Sequence, residues 1–210
     1  MTTTNNNQTN NPDRPTVIDW DKYYQENDVE NMPWFADHFD HDFDNTLSTL
    51  QLKNLTALDL GTGPGTQAIH LAKKGFRVTA VDISQAAIDS ATLRAQQEGV
   101  EIHFEQDDVK ESHITGSFEI IIDRGCFHSL RPEHRPLYAK MINDRLTDTG
   151  SLLLKCFSTK EPGTQGPNRL SEEMIREVFS PFLKDISIDD SEFRSKRATN
   201  PKALYCVMRK

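Results

Sequence analysis

Apolar residues come in short, nearly unbroken runs at Thr56–Leu60, Arg77–Val81, Ile102–Gln106, Phe118–Ile122 and Ser151–Phe157. That is the pattern of strands covered on both faces. Between most of these runs the apolar positions change to helical spacing. Gln67–Lys74 closes at Gly75, a residue suited to the left-handed turn after a helix. Ser84 can cap a helix whose Ala87, Ile88, Ala91 and Ala95 share one face, with Gly99 at its end. Pro136 can open another, with Leu137, Tyr138, Met141 and Ile142 as its apolar stripe. Ser171 can cap a further helix; Glu172 and Glu173 suit its first turn, and Leu170 with Ile175 can form a hydrophobic staple. Strand alternating with helix predicts an α/β domain built on a doubly wound, mostly parallel sheet. The end of the chain departs from that rhythm. Strands are predicted at about Leu183–Asp189 and Ala203–Met208, and the link over 190–202 is too short for a helical crossover, so these two form an antiparallel hairpin.

The N-terminal part has a different composition. Residues 1–15 are Thr, Asn, Gln and Pro with almost nothing apolar, and such a segment is expected to be disordered. Residues 16–50 carry Trp20, Tyr23, Tyr24, Trp34, Phe35, Phe39 and Phe43 among many acids. They read as an aromatic arm laid over the domain body at 51–210, or more plainly as an N-terminal helix packed on the core. A chain of 210 residues suits one domain with such an arm, large enough to stand alone as a monomer. The net charge of −8 argues against a broad nucleic-acid footprint. No apolar run approaches a membrane span, and the start lacks the regions of a signal peptide. Cys126, Cys156 and Cys206 lie far apart, which indicates neither a disulfide framework nor a metal site. A protein of the reducing cytoplasm is expected, with neither nucleic acid nor membrane as partner.

Between the first strand and the first helix stands Leu58–Thr66, LDLGTGPGT. This loop falls at the carboxyl edge of the sheet, where doubly wound folds bind ligands. Its glycines let the backbone approach a ligand and adopt dihedrals that other residues avoid. Asp82 ends the second strand about twenty residues on, where an acid can accept hydrogen bonds from both hydroxyls of a ribose. The dinucleotide fingerprint, however, needs a glycine at position 66, where Thr66 stands, and the lysine of a phosphate-binding P-loop is missing. A nicotinamide oxidoreductase is thereby disfavoured. An ordinary tight turn is the bland alternative.

LDLGTGPG followed by VTAVDIS resembles the first two motifs of the class I S-adenosylmethionine-dependent methyltransferases. The resemblance implies a Rossmann-like, seven-stranded sheet, mostly parallel with its last strand antiparallel and helices on both faces. It implies that Gly61, Thr62 and Gly63 line the methionine part of S-adenosylmethionine, that Asp82 holds the ribose, and that Ile83 lies against adenine. FEQDDV is similar to the family's third motif; it implies Asp108 as the acid beside adenine, with Asp107 the second candidate, and the Val109 backbone at the ring nitrogen. Asp59, Asp82, Asp108 and Asp123 all fall at or near strand ends, and carboxylates gathered there favour a cationic ligand over a diphosphate. For Asp59 the alternative is a carboxylate that only ties up loop amides.

FEIIIDRGCFHSLRPEHRPLYAKMINDRL is similar to the thiopurine and thiol/halide methyltransferase group of that superfamily, as is TKEPGTQGPNRLSEEMIREVF after the fifth strand. Trp20 and Tyr24, four apart, can share a helical face, and with Trp34 in MPW they match the aromatic arm that covers the cofactor in that group. Two departures stand out. Asn168-Arg169 replaces a proline and an aromatic of the thiopurine enzymes, and Tyr24 replaces a tryptophan. The resemblance places Arg124 where cofactor and substrate meet, able to hold an anionic acceptor; a structural ion pair is its alternative. His128 can accept a proton, or can be a packing residue at a helix start. Cys126 reads as a small buried hydrophobe. Phe127, Phe157 and the 158–169 loop would form an apolar acceptor pocket, Phe157 equally a core residue. The expected activity is methyl transfer to a small-molecule acceptor, foremost a thiol. A metalloid oxyanion such as tellurite or an oxygen or nitrogen acceptor comes next, and a non-catalytic binding module is the reading of another class.

Overall fold

The computed structural model describes residues 18–49, 55–194 and 199–210. The tail expected over residues 1–15 lies outside the described residues. Helices α1 (Trp20–Glu26) and α2 (His41–Ser48) precede the sheet. Then follow β1 (Thr56–Leu60), α3 (Thr66–Lys73), β2 (Arg77–Asp82), α4 (Gln85–Gln97), β3 (His103–Gln106) and β4 (Phe118–Arg124). The chain continues through α5 (Arg135–Arg145), β5 (Leu146–Phe157), α6 (Glu172–Phe179), β6 (Lys184–Glu192) and β7 (Lys202–Arg209). The seven strands form one sheet in the order β3-β2-β1-β4-β5-β7-β6. Neighbours from β3 to β5 pair in parallel, while β7 runs antiparallel to both β5 and β6. The predicted hairpin is present, and its second strand inserts between β5 and β6.

Strand side chains alternate between two cores, as the pleat requires. Leu58, Leu60, Ile121, Leu152, Leu154 and Cys206 join Phe127, Tyr138, Ile142 and Phe179 on one face, covered by α5 and α6. Ala57, Ala80, Ile120, Ile122 and Leu153 join Phe43, Leu47, Ala68 and Leu71 on the other, covered by α2 and α3. Both faces are dry, which is why the strands read as continuous apolar runs. The predicted caps form: the Ala87 amide donates to Ser84 Oγ at 3.1 Å and the Met174 amide to Ser171 Oγ at 3.2 Å. The stripe expected on α5 is rotated. Arg135, Tyr138, Ala139 and Ile142 are its buried residues, whereas Leu137 is 53% exposed. Tyr138, common to both sets, reaches inward to Asp123 at 2.6 Å. β5 also starts earlier than its apolar run, because Leu146 pairs with Phe118 before a register shift.

Candidate active site

The glycine loop stands at the carboxyl edge between β1 and α3, with φ of +63° at Gly61, +52° at Gly63 and +78° at Gly65. These left-handed dihedrals disfavour side chains, and so do the neighbours. A Cβ at Gly61 would lie 2.7 Å from Cys126 Cβ, and one at Gly63 would lie 2.6 Å from Tyr24 Oη. Thr62 anchors the turn, its amide donating to Val81 O at 2.9 Å and its hydroxyl to Asp59 Oδ2 at 2.6 Å. Arg94 of α4 secures the far side through Pro64 O at 2.7 Å.

Asp82 holds the loop and the next turn together. Its Oδ2 accepts from the Gly63 amide at 2.8 Å and its Oδ1 from the Ser84 amide at 3.0 Å. Burial raises its pKa above the ordinary carboxylate value despite those bonds. Asp59 is sealed beneath Thr62, and burial, with Asp123 and Asp82 nearby, pushes it up to about 7. Asp123 is pushed up to about 6 by burial. It accepts from the amides of Gly125, Cys126 and Phe127 at 2.8–2.9 Å and from the Tyr138 hydroxyl. Four donors leave it little capacity for a ligand, so its direct work is to shape the turn after β4. Cys126 is half-buried, packed against Gly61 and the α5–α6 core. Its thiol is pushed up by burial and then by Asp123, Asp82, Asp108 and Asp59. The four acids expected at strand ends are therefore all within electrostatic reach of one thiol.

Ile83 is 42% exposed at the tip of β2, open to a flat ligand. Asp108 is partly exposed and pairs with Lys110 Nζ at 3.0 Å. Asp107 is buried; one oxygen accepts from the His113 amide at 2.8 Å, and the other has no hydrogen-bond partner among the described residues. Val109 packs its side chain into the α5–α6 core.

The arm folds over this edge. Asp21 Oδ1 accepts from Ser84 Oγ at 3.0 Å and from the Ala86 amide at 2.9 Å, which seats α1 on the start of α4. The Trp34 ring packs on Trp20, Tyr23 and Tyr24 with centroids 5.2–6.4 Å apart, and its Nε1 donates to Tyr24 Oη at 3.3 Å. The Tyr24 hydroxyl thus stands at Gly63 of the glycine loop, and Trp34 and Trp20 reach that loop only through the aromatic cluster.

Arg124 makes the ion pair that was its alternative reading, and His128 has the ring contacts of a packing residue. The Arg124 side chain is 9% exposed and forms an ion pair, Nε to Asp40 Oδ2 at 2.8 Å. Its Nη2 donates to Arg194 O at 3.2 Å and its guanidinium lies 5.1 Å from the centre of the Phe193 ring. His128 Nδ1 accepts from the Phe157 amide at 3.1 Å, which uses the one lone pair of a neutral imidazole. Burial, with Arg124 nearby, lowers its pKa to about 3. As a proton acceptor it would have to break that bond, and its ring packs against Phe157 and Phe193. Asn168 has a local reason: its amide groups hold His128 O and Leu130 O at 2.8–3.2 Å. Arg169 staples its own loop through Glu161 O, Pro162 O and Gln165 O.

Sequence reasoning missed Asp40 and Lys155. Lys155 Nζ lies 2.8 Å from Asp40 Oδ1 and 2.7 Å from Asp42 Oδ2, with its side chain 2% exposed. A lysine inside the apolar run SLLLKCF was the available signal. Asp40 carried none beyond its fitness as a helix cap.

Fold and site together define a Rossmann-like domain with a glycine loop and a group of acids at the carboxyl edge of its sheet. The family described as "Methyltransferase domain" matches residues 57–150. An uncharacterized methyltransferase of Schizosaccharomyces pombe, C750.03c, is 35% identical over 116 residues, 53% of this chain and 79% of that protein. Thiocyanate methyltransferase 1 of Arabidopsis thaliana is 25% identical over 175 residues, 82% of this chain and 76% of that one. A structure solved in work on the conversion of a disulfide bond into a thioacetal group during echinomycin biosynthesis superposes with a TM-score of 0.79 at 21% identity, covering 91% of each chain. Magnesium protoporphyrin IX methyltransferase of Synechocystis, solved with bound S-adenosylmethionine, superposes with a TM-score of 0.63 at 21% identity over 80% of this chain and 78% of that one. The chain belongs to the class I S-adenosylmethionine-dependent methyltransferases, and S-adenosylmethionine is its cofactor.

Proposed function

We propose that the methyl acceptor is a small soft nucleophile that arrives as an anion, foremost a thiolate. One observation carries this reading: the imidazole of the crevice wall has no lone pair to spare, since His128 Nδ1 is committed to the Phe157 amide. The neighbouring groups supply no base either. The Cys126 thiol and the Tyr24 hydroxyl are both pushed up, Asp59 is sealed under Thr62, and Asp123 is saturated. An acceptor already ionised near neutral pH needs none of them. The likeness to a thiocyanate methyltransferase over most of both chains supports a sulfur acceptor.

S-Adenosylmethionine supplies an activated methyl group when bound. In this reading the bare peptide groups of Gly61, Thr62 and Gly63 receive its methionine part and Asp82 its ribose. Ile83, Asp108 and the Val109 amide receive the base. The acids gathered beneath and beside the loop suit the positive sulfur. Tyr24 and Trp34 close the edge against water, so proximity and desolvation supply much of the barrier reduction. Arg124 has donor groups beyond those bound to Asp40 and the chain carbonyls, and these attract an anionic acceptor toward Phe157, whose ring shares Phe193 with the guanidinium; Phe127, expected in the acceptor pocket, is instead fully buried against Tyr138 and Phe179.

The test is methyl transfer from labelled S-adenosylmethionine to hydrosulfide, aryl thiols, thiocyanate, iodide, tellurite and phenol. Turnover is expected with the sulfur acceptors, rising with pH through the pKa of each thiol. Preference for phenol or tellurite would replace the thiolate with an oxygen or metalloid acceptor.

A further inference from the structure

The register of the sheet sets Arg124 of β4 directly opposite Lys155 of β5. Both point to the face covered by α2, and two cations side by side on one sheet face repel. The carboxylate of Asp40 lies between them, Oδ2 at 2.8 Å from Arg124 Nε and Oδ1 at 2.8 Å from Lys155 Nζ, itself 2% exposed. The Asp40 amide also donates to Gln67 Oε1 of α3 at 2.9 Å. One residue thus joins α2, α3, β4 and β5. From Arg124 a chain of contacts runs on to the glycine loop. Nη1 reaches Trp34 O at 3.4 Å, Trp34 Nε1 donates to Tyr24 Oη at 3.3 Å, and Tyr24 Oη stands over Gly63.

We infer that Asp40 is a positioning residue for the methyl-transfer reaction: by holding Arg124 it fixes the Trp34–Tyr24 pair on the glycine loop, and so sets cofactor affinity without touching the cofactor. Its carboxylate is the point where the arm and the sheet are fastened. The inference is independent of which acceptor the enzyme uses, because every readout below needs the cofactor site alone.

The test is binding of S-adenosylhomocysteine to the full chain, followed by calorimetry and tryptophan fluorescence. The chain has two tryptophans, Trp20 and Trp34, both in the arm, so their emission reports the arm. Asp40→Asn is expected to weaken binding about tenfold, the effect of losing a buried charged hydrogen bond, and to leave the tryptophans open to acrylamide in the ligand-saturated protein. In a Tyr24→Ala background the same substitution is expected to cost less than about threefold more, because the contact through which it acts is already gone. Unchanged affinity in Asp40→Asn, or full additivity of the two losses, overturns the inference.

Removing one anion from a buried cluster destabilises the fold by itself. The pair Asp40→Asn/Lys155→Met removes one charge of each sign and is expected to keep native circular dichroism while still binding about tenfold more weakly. Wild-type affinity in that pair would reduce Asp40 to a neutraliser of Lys155. Arg124→Lys keeps every charge and removes the bridge from Asp40 to Trp34. Weaker binding with exposed tryptophans is expected there too, and unchanged binding overturns the inference on its own.

Discussion

Asp82 accepts the amide of Gly63 at 2.8 Å, so the acid expected to grip a ribose also holds the glycine loop in place. A buried hydrogen bond to a charged group contributes about 1.5–3 kcal/mol. Asp82→Ala is expected to weaken S-adenosylmethionine by more than about tenfold, with a loss of loop order on top. Isothermal titration measures it, and an unaltered dissociation constant would count against the ribose assignment.

Gly63 meets two obstacles to a side chain, its φ of +52° and the Tyr24 hydroxyl. Gly63→Ala is expected to cost roughly 1–2 kcal/mol from the left-handed backbone alone, and to displace Tyr24 and with it the arm. Adding Tyr24→Phe removes the colliding oxygen and should recover part of the lost cofactor affinity. Failure of the second change to help at all would separate Tyr24 from the loop.

The raised carboxylates predict a proton linkage. Burial pushes Asp59 up to about 7 and Asp123 up to about 6, both above the ordinary 3.8. Each raised group contributes stability that is full below its unfolded value and is lost as pH rises through its folded value. For the ligand-free protein these two groups therefore lower stability between about pH 4 and 7. A bound sulfonium favours the ionised forms, so binding should release protons near pH 6.5 and affinity should rise with pH across that window. S-Adenosylhomocysteine lacks the sulfonium charge and should release fewer. Calorimetry in two buffers of different ionisation enthalpy checks this; identical heats would rule the linkage out.

His128 has the opposite sign. Its pKa is lowered to about 3, so the stability it contributes is present above its unfolded value near 6.5 and is lost as pH falls from there toward 3. His128→Gln keeps an acceptor for the Phe157 amide. It should flatten the acid limb of the stability curve and leave turnover of the folded enzyme within about threefold, far from the 10²–10⁴-fold of a lost general base. A collapse in turnover with the fold intact would restore His128 as the base.

The order of strands and helices was legible in the chain because each element carries its own period and its own punctuation: Ser84 and Ser171 as caps, Gly75 and Gly99 as stops, and unbroken apolar runs for strands buried twice over. The glycine loop and Asp82 were legible for the same reason, since local backbone demands leave local residues. The α5 stripe was misplaced at its edges because Arg135, which an apolar pattern leaves out, is buried by partners outside the helix, Leu130 O and the Phe127 ring. Arg124 and His128 were read as chemical groups, yet which of their atoms stay free depends on partners far along the chain, Asp40 at 84 residues and Phe157 at 29. The charge cluster of Asp40, Arg124 and Lys155 exists only once parallel register sets β4 beside β5 and α2 packs over both. Periodicity is a property of neighbours in sequence. Charge pairing and the fate of a lone pair belong to neighbours in space, and those the tertiary structure alone decided.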